Sequence, residues 1–183
     1  MNIRLEGLHA LVGGGTQGIG QAAAIGMARL GARVTLLARD AGKLEQAVAG
    51  LDVSHGQRHG YVVTDMADTA ALHTAITAHI AVHGPVDILL NNTGGPPPGL
   101  AHEAPIEAYE QAFRLHLLAF QTLVLAVVPG MKERHRGRII NVISTSVKVP
   151  LPNLGVSNTI RGAVAQWSKT LATELGPFNI TVN

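Results

Sequence analysis

The sequence predicts an α/β fold in which a doubly wound parallel sheet carries helices on both faces. Two observations predict it. Short apolar runs of Val, Ile, Leu and Ala alternate with longer stretches in which apolar residues recur every three or four positions, the patterns of buried strands and of helices packed on them. The first run, Ala10-Leu11-Val12, passes through Gly13-Gly14-Gly15-Thr16-Gln17-Gly18-Ile19-Gly20 into a helical stretch marked by Ile19, Ala23, Met27 and Leu30. Strand, glycine turn and helix in that order let a backbone approach a phosphate, with the N–H groups of the new helix aimed at it.

The strand before the turn is expected at residues 8–13, and the first helix runs to residue 30, where Gly31 stops it. Residues 33–38 form a short apolar second strand and close a β-α-β unit. A helix at 41–49, a loop of Gly, His and Ser, a third strand at 60–64 and a helix at 68–83 follow. Leu72, Ile76 and Ile80 line one face of that helix, and Gly84-Pro85 ends it. The fourth strand, 86–90, ends in Asn91-Asn92-Thr93-Gly94, and Pro96, Pro97 and Pro98 stiffen the loop beyond. A long helical stretch at 106–133, broken at Pro129-Gly130, leads to a fifth strand at 138–143. After a loop at 144–152, Val156, Ile160, Val164, Trp167, Leu171 and Leu175 mark an amphipathic helix, and a sixth strand starts at 179. Right-handed crossovers give the strand order 3-2-1-4-5-6 in one domain spanning residues 1–183.

At 183 residues, with 46% hydrophobic and 14% charged, the chain is long enough to bury a core and too apolar for disorder. No apolar run reads as long enough to cross a membrane, and the first ten residues do not have the pattern of a secretory signal, so a cytoplasmic setting is expected. With no cysteine, disulfides and thiolate metal sites are excluded. The charge of +2 is spread out except at residues 132–138, read as a solvated helix end and not as a nucleic-acid surface, since no aromatic platform accompanies it. His79 and His83 are spaced for joint chelation, but no third ligand is evident; an exposed polar face is expected, and no metal.

The glycines read in two registers. Gly13-x-Gly15-x-x-Gly18 fits the general dinucleotide fingerprint. Gly14-x-x-x-Gly18-x-Gly20, taken with Asp65 after the third strand, Asn91-Asn92-Thr93-Gly94, Ser144 after the fifth strand and Ile180-Thr181-Val182-Asn183, resembles the short-chain dehydrogenase/reductase family over essentially the whole chain. The Asn-Asn-Thr-Gly-Gly-Pro-Pro-Pro version is similar to members labelled 3-oxoacyl-carrier-protein reductase-like. The resemblance implies a Rossmann-type fold, nicotinamide-dependent oxidoreduction of a carbonyl or secondary alcohol, and a homo-oligomer, dimer or tetramer, paired through the two long helices with Trp167 near the contact. It also implies that Thr16, Gln17 and Ile19, with Gly14, Gly18 and Gly20, line the pyrophosphate. Asp65 and Met66 border the adenine, and Asn92, Thr93 and Gly94 pass beneath the adenosine ribose.

The end of the second strand chooses between cofactors. An acid there would accept from the ribose 2′-hydroxyl and repel a 2′-phosphate, but the chain has Ala38 and then Arg39, which can pair with phosphate. NADP is therefore expected over NAD. Gln17 does not supply the second basic residue of many NADP-preferring relatives, and Asp40 stands next door.

The chain departs from the family pattern at the catalytic set, which comprises an asparagine in the helix after the Asn-Asn loop, a serine after strand five and a Tyr-x-x-x-Lys pair. Ser144 keeps the serine. Thirteen positions on, the tyrosine place holds Ser157 and the lysine place Arg161, while the asparagine place holds His116. A serine hydroxyl is a far weaker acid than a phenol, and a guanidinium stays protonated, so it can supply charge or bind the nicotinamide ribose but not shuttle protons. A substitute relay is expected through His116, which titrates near neutral pH if unperturbed, with Ser144 or Ser157. Lys148, Tyr61 and Tyr109 stand away from the family's positions. The family continues past the sixth strand into a cofactor loop, a substrate lid and a seventh strand, which this domain is expected to lack. The alternative is a nucleotide-binding or interaction protein on the same fold, with the chemistry lost.

Overall fold

A computed structural model describes residues 4–183; the three residues before Arg4, part of the single domain expected from the sequence, lie outside the described residues. The elements run β1 (His9–Gly13), α1 (Gly18–Arg29), β2 (Arg33–Ala38), α2 (Ala41–Ala49), β3 (Gly60–Val63), α3 (Thr69–His83), β4 (Ile88–Asn91), α4 (Ile106–Phe113), α5 (Ala119–Glu133), β5 (Gly137–Asn141), α6 (Gly155–Leu175) and β6 (Ile180–Val182). The strands form one parallel sheet in the order β3-β2-β1-β4-β5-β6, as the sequence predicts.

Central strands β1 and β4 are buried along their whole length because helices cover both faces. Alternate residues feed two cores. Leu11, Leu37, Leu89 and Ile139 meet Leu72, Ile76, Phe120, Leu123 and Val164 on the side of α3, α5 and α6. Ala10, Val12, Leu36, Ile88 and Leu90 meet Ala24, Ala28 and Leu44 of α1 and α2. Register then places the site. Gly13 stands beside Leu37 and Asn91 beside Asn141, so the glycine turn, the Asn-Asn loop and the Ser144 loop leave the sheet at one carboxyl edge, where open parallel sheets bind ligands.

Several details differ from the sequence expectation. The helical stretch is not broken at Pro129-Gly130: α5 runs through Pro129, because Pro129 and Leu125, whose carbonyl loses its helical donor, both face solvent. The irregularity falls at Arg114–Leu118, a π-helical turn joining α4 to α5. Taken together, Ile106–Glu133 is long and apolar enough by composition to cross a membrane, contrary to the expectation. Its apolar residues form two sets, with Phe120, Leu123, Val127 and Met131 buried in the core and Ile106, Phe113, Leu118 and Leu125 exposed; an exposed stripe added to a core face raises the hydropathy.

Residues 132–138 hold the end of α5, largely exposed as expected, but three of their cations are engaged. The Nη2 atoms of Arg134 and Arg136 lie 3.3 and 2.9 Å from Oδ1 of buried Asp87, and Lys132 Nζ sits 4.5 Å over the Phe178 ring. His79 is not on an exposed polar face. Its Nε2 is 3.1 Å from Thr35 Oγ1, which is 2.8 Å from His9 Nε2, and His9 Nδ1 is 3.2 Å from the Pro85 carbonyl. A carbonyl only accepts, so Nδ1 of neutral His9 carries its proton, Thr35 donates to His9 Nε2, and His79 donates to Thr35. Burial first, and the charge of Arg33 second, push the His9 imidazole down to about 4.

Candidate functional site

The site begins where β1 stops. Gly14 (φ +57°) and Gly18 (φ +56°) both take the left-handed conformation that side chains disfavour, and a Cβ on Gly20 would run into the Gly14 carbonyl. Each glycine of the Gly14-x-x-x-Gly18-x-Gly20 register thus has its own steric reason. Gly13 also has one, since a Cβ there would stand 2.8 Å from the Asn92 carbonyl. Helix α1 opens after Gln17, whose side chain makes no capping bond, so the first-turn N–H groups stay available to an anion. Thr16 is half-buried, Gln17 exposed, and Ile19 is 63% exposed at the mouth of the turn, an apolar side chain left uncovered.

Asn92 braces this turn, its Nδ2 donating to the carbonyls of Gly13 (3.2 Å) and Gly14 (3.4 Å). Its amide is therefore committed to holding the loop, whereas Thr93 is half-buried and Gly94 open to solvent. Arg39 Nη1 lies 3.9 Å from Asp65 Oδ2, both side chains exposed. Asp65 also accepts from the Ala67 N–H at 2.9 Å. The Met66 side chain is packed in the core, which leaves only its backbone to the edge. Asp40 is occupied as the N-cap of α2, accepting from the Lys43 N–H at 3.0 Å.

On the other half of the edge, Asn91 Nδ2 donates to Asn141 Oδ1 (2.8 Å), Asn141 Nδ2 to Ser168 Oγ (2.8 Å), and Ser168 to the Val164 carbonyl. This chain, which the sequence reading missed, ties β4 and β5 to α6. Ser144 caps a short 3₁₀ turn, Thr145–Val147, with its Oγ accepting the Ser146 N–H at 3.1 Å; its own hydroxyl proton is left for another acceptor. Ser157 is half-buried in the first turn of α6, and Arg161 follows one turn later on the same face.

Arg161 is only 7% exposed, and its Nη1 donates to the Val142 carbonyl at 2.6 Å. Burial lowers its pKa from the ordinary arginine value, without making deprotonation accessible. His116 sits in the π-helical turn, fully buried, edge-on to Phe120, and neither ring nitrogen has a partner. Burial, then the nearby charge of Arg161, pushes its imidazole down to about 4, so at neutral pH the ring is uncharged and not the ready acid its unperturbed value suggests. Ser146 Oγ and Asn158 Oδ1 are likewise buried without partners. Sequence reasoning missed both; the only signal was polar residues repeated beside Ser144 and Ser157. Lys148 is exposed, Tyr109 donates to the Ala101 carbonyl at 3.3 Å, and Tyr61 lies at the opposite end of the sheet. The triproline loop is docked on the start of α6 by bonds from Gly99 N to the Asn153 carbonyl and from Gly155 N to the Gly99 carbonyl, each 2.9 Å, walling this half of the edge.

The sequence model described as short chain dehydrogenase matches residues 8–183. Gluconate 5-dehydrogenase of Gluconobacter oxydans is 32% identical over 98% of this chain and 70% of its own. 2-Keto-3-deoxy-L-fuconate dehydrogenase of Xanthomonas campestris pv. campestris is 34% identical over 94% of this chain but 55% of its own. Among solved structures, L-sorbose reductase from Gluconobacter frateurii, complexed with NADPH and L-sorbose, superposes with a TM-score of 0.94 at 33% identity, covering 100% of this chain and 70% of that one. The chain thus spans about half to 70% of the length of these relatives.

Proposed function

The chain belongs to the short-chain dehydrogenase family, and on that premise we propose that it is an NADP-linked oxidoreductase interconverting a carbonyl and a secondary alcohol through a relay without tyrosine. The observation that carries this reading is the uncapped start of α1 facing the Gly14–Gly18 turn, an anion site held open by Asn92. Thr16, Gln17 and Ile19 would hold the pyrophosphate there with Gly14, Gly18 and Gly20. Asp65 and the Met66 backbone would border the adenine, Thr93 and Gly94 would underlie the adenosine ribose, and Arg39 would take the 2′-phosphate. The NADPH in the similar L-sorbose reductase supports NADP over NAD. Bound at this edge, the nicotinamide supplies or accepts hydride at the substrate carbon.

The chain's own groups serve the substrate oxygen. Ser144, whose oxygen already accepts a backbone N–H, donates its proton to the carbonyl. The fixed charge of Arg161 favours negative charge building there. His116, uncharged at neutral pH, would feed a proton to the substrate oxygen through the Ser157 hydroxyl only when one of its ring nitrogens, both unpartnered in the free protein, gains that contact. The relatives' names include acids, gluconate and 2-keto-3-deoxy-L-fuconate, and a neutral sugar, L-sorbose. We also propose a homo-oligomer through the exposed stripe of Ile106, Phe113, Leu118 and Leu125. A monomer by light scattering at micromolar concentration would remove that part.

Loss of NADPH absorbance with a panel of oxo acids, ketones and aldehydes tests the activity. Turnover that drops about a hundredfold or more in Ser144→Ala supports it. Tight NADPH binding with no turnover across the panel favours the nucleotide-binding alternative.

A further inference from the structure

We propose that the amino edge of the sheet, opposite the cofactor turn, holds a second site for a phosphate group, in a hollow between β2, β3 and α3. Three pairs of residues, each set by the period of its own element, converge there. Arg33 and Thr35 lie two apart at the start of β2 and so share a face. Arg58 and Gly60 lie two apart leading into β3, and Gly60 stands directly beside Thr35 in the ladder. His79 and His83 lie four apart near the end of α3, on one side of the helix. These residues line a hollow of about 400 Å³, near the lower end of the range for small-ligand sites.

The hollow exists because position 60 carries no side chain. A Cβ on Gly60 would meet no heavy atom within 4 Å, whereas Val62, next on the same face of β3, packs against the core under α3. The floor is neutral and already bonded, since His79 Nε2 donates to Thr35 at 3.1 Å and Thr35 to His9. The rim is cationic. Arg33 is fixed by its Nη2 on the His83 carbonyl at 2.7 Å, and exposed Arg58 stands across from it. No carboxylate lines this hollow. The neighbouring one, which shares Arg33, brings its own acid: Glu6 lies 3.3 Å from His55 Nδ1.

A metal cation is the wrong guest for the histidine pair, because His79 Nε2 holds its proton toward Thr35 and two guanidinium groups stand beside the rings. A phosphate offers three acceptor oxygens and meets donors from three elements: the Arg33 fork, Arg58 and the imidazoles, whose ring centres are 4.4 Å apart. The electrostatics agree. Burial first, then the charges of His83 and Arg33, hold the His79 imidazole down to about 4. The other groups facing these rings are Arg58, His59 and His9, and behind His9 the Asp87 carboxylate, which is engaged by the His9 N–H, Arg134 and Arg136. An anion at the rim opposes two of the three influences on His79, so the ring takes up a proton at Nδ1 and becomes a further donor.

The test uses protein with ¹⁵N-labelled histidine, titrated with inorganic phosphate, ribose 5-phosphate or ribose against potassium chloride of equal ionic strength. Phosphate should saturate at about 1 mM or below, moving the His79 and His83 ring signals and raising the apparent pKa of His79 by about one unit. Chloride and ribose should do neither. A tighter response to ribose 5-phosphate assigns the group to a phosphorylated metabolite and an equal one to free phosphate; both support the site. Gly60→Val fills the hollow with a good strand former, leaves every charge in place, and should abolish the response. Arg58→Ala, an exposed change, should need about tenfold more phosphate, the worth of one charge-assisted bond. A response that chloride reproduces, or that folded Gly60→Val or Arg58→Ala retains unchanged, overturns the proposal. So does phosphate that leaves the His79 and His83 signals unmoved, whether it fails to bind or binds at the Gly14–Gly18 turn instead.

Discussion

His9 and His116 are both buried, and both imidazoles are held down to about 4, chiefly by desolvation. Their surroundings are opposite. At the amino edge of the sheet, every polar atom of His9 is spoken for, in a run from the Pro85 carbonyl through Thr35 to His79. At the carboxyl edge, His116 has no partner at either nitrogen and a bare guanidinium nearby. A lowered pKa reports burial in both cases; hydrogen bonding separates them. A satisfied histidine fixes strands together, whereas an orphaned one carries a cost of about 1–3 kcal/mol that the fold tolerates where something else is to bind.

The largest effect expected from this contrast is catalytic. Ser157→Tyr with Arg161→Lys restores the family's acid at the edge where His116 is idle at neutral pH, and general acid catalysis contributes about two to four powers of ten. NADPH-dependent carbonyl reduction should rise measurably toward that range, and the rise should survive His116→Leu. A double variant that folds, binds NADPH and reduces nothing more than the parent would show that loss of the tyrosine relay is not what limits this site.

Stability should separate the two histidines next. His9→Leu strands the Thr35 hydroxyl and the Pro85 carbonyl and should cost about 2–4 kcal/mol in urea unfolding. His116→Leu removes two unpaired nitrogens and should raise stability by about 1 kcal/mol or more. Equal losses in the two variants would erase the distinction. The pH profile follows from the same groups. The unfolded chain takes up these protons near 6.5 and the folded chain only near 4. Between those values the unfolded state holds more protons, so stability, fully present above pH 6.5, falls as pH falls toward 4 and levels off below. Each of His9 and His116 contributes about 2–3 kcal/mol to that fall, and partly exposed His79 less. In His116→Leu the slope between pH 6.5 and 4 should shrink by close to one proton.

The same division governs what could be read from the chain. The sheet order, the six strands and the Gly14-x-x-x-Gly18-x-Gly20 turn were legible because they depend on period and on backbone sterics, and glycines clustered between a strand and a helix show in residue type. The break at Pro129 was misread because the cost of a helical proline depends on whether the freed carbonyl is solvated, which is a matter of facing and not of sequence. The π-helical turn, and with it the sealing of His116, has no local residue signature: Arg-Leu-His-Leu-Leu reads as plain helix. Spacing placed Ser144, Ser157 and Arg161 on the right elements, but the burial of Arg161 is a property of its neighbours.

The smallest expected effect lies on the binding half of the edge, where the side chains of Asn92, Asp65 and Asp40 already have partners. Arg39 rests against Asp65 at 3.9 Å with both side chains exposed, a pair worth less than about 1 kcal/mol, so a 2′-phosphate displaces it readily. Asp40 competes poorly for the ribose 2′-hydroxyl: one oxygen caps α2 and the other lies 3.7 Å from Lys43 Nζ, and the Lys43 N–H it accepts, followed by the Lys43 charge, holds its pKa below the ordinary aspartate value. NADPH should therefore bind more tightly than NADH, and Arg39→Ala should remove about tenfold of that preference, the worth of one charge-assisted bond at an exposed position. Asp65→Asn, which frees Arg39 without altering the turn at Ala67, should tighten NADPH by about twofold and leave NADH unchanged. Raising the salt should shrink both differences, since each is carried by solvated charge. Equal affinities of the parent protein for the two cofactors, measured by fluorescence titration at low salt, would mean that Arg39 stays with Asp65 when the site is filled and that the end of β2 does not choose the cofactor.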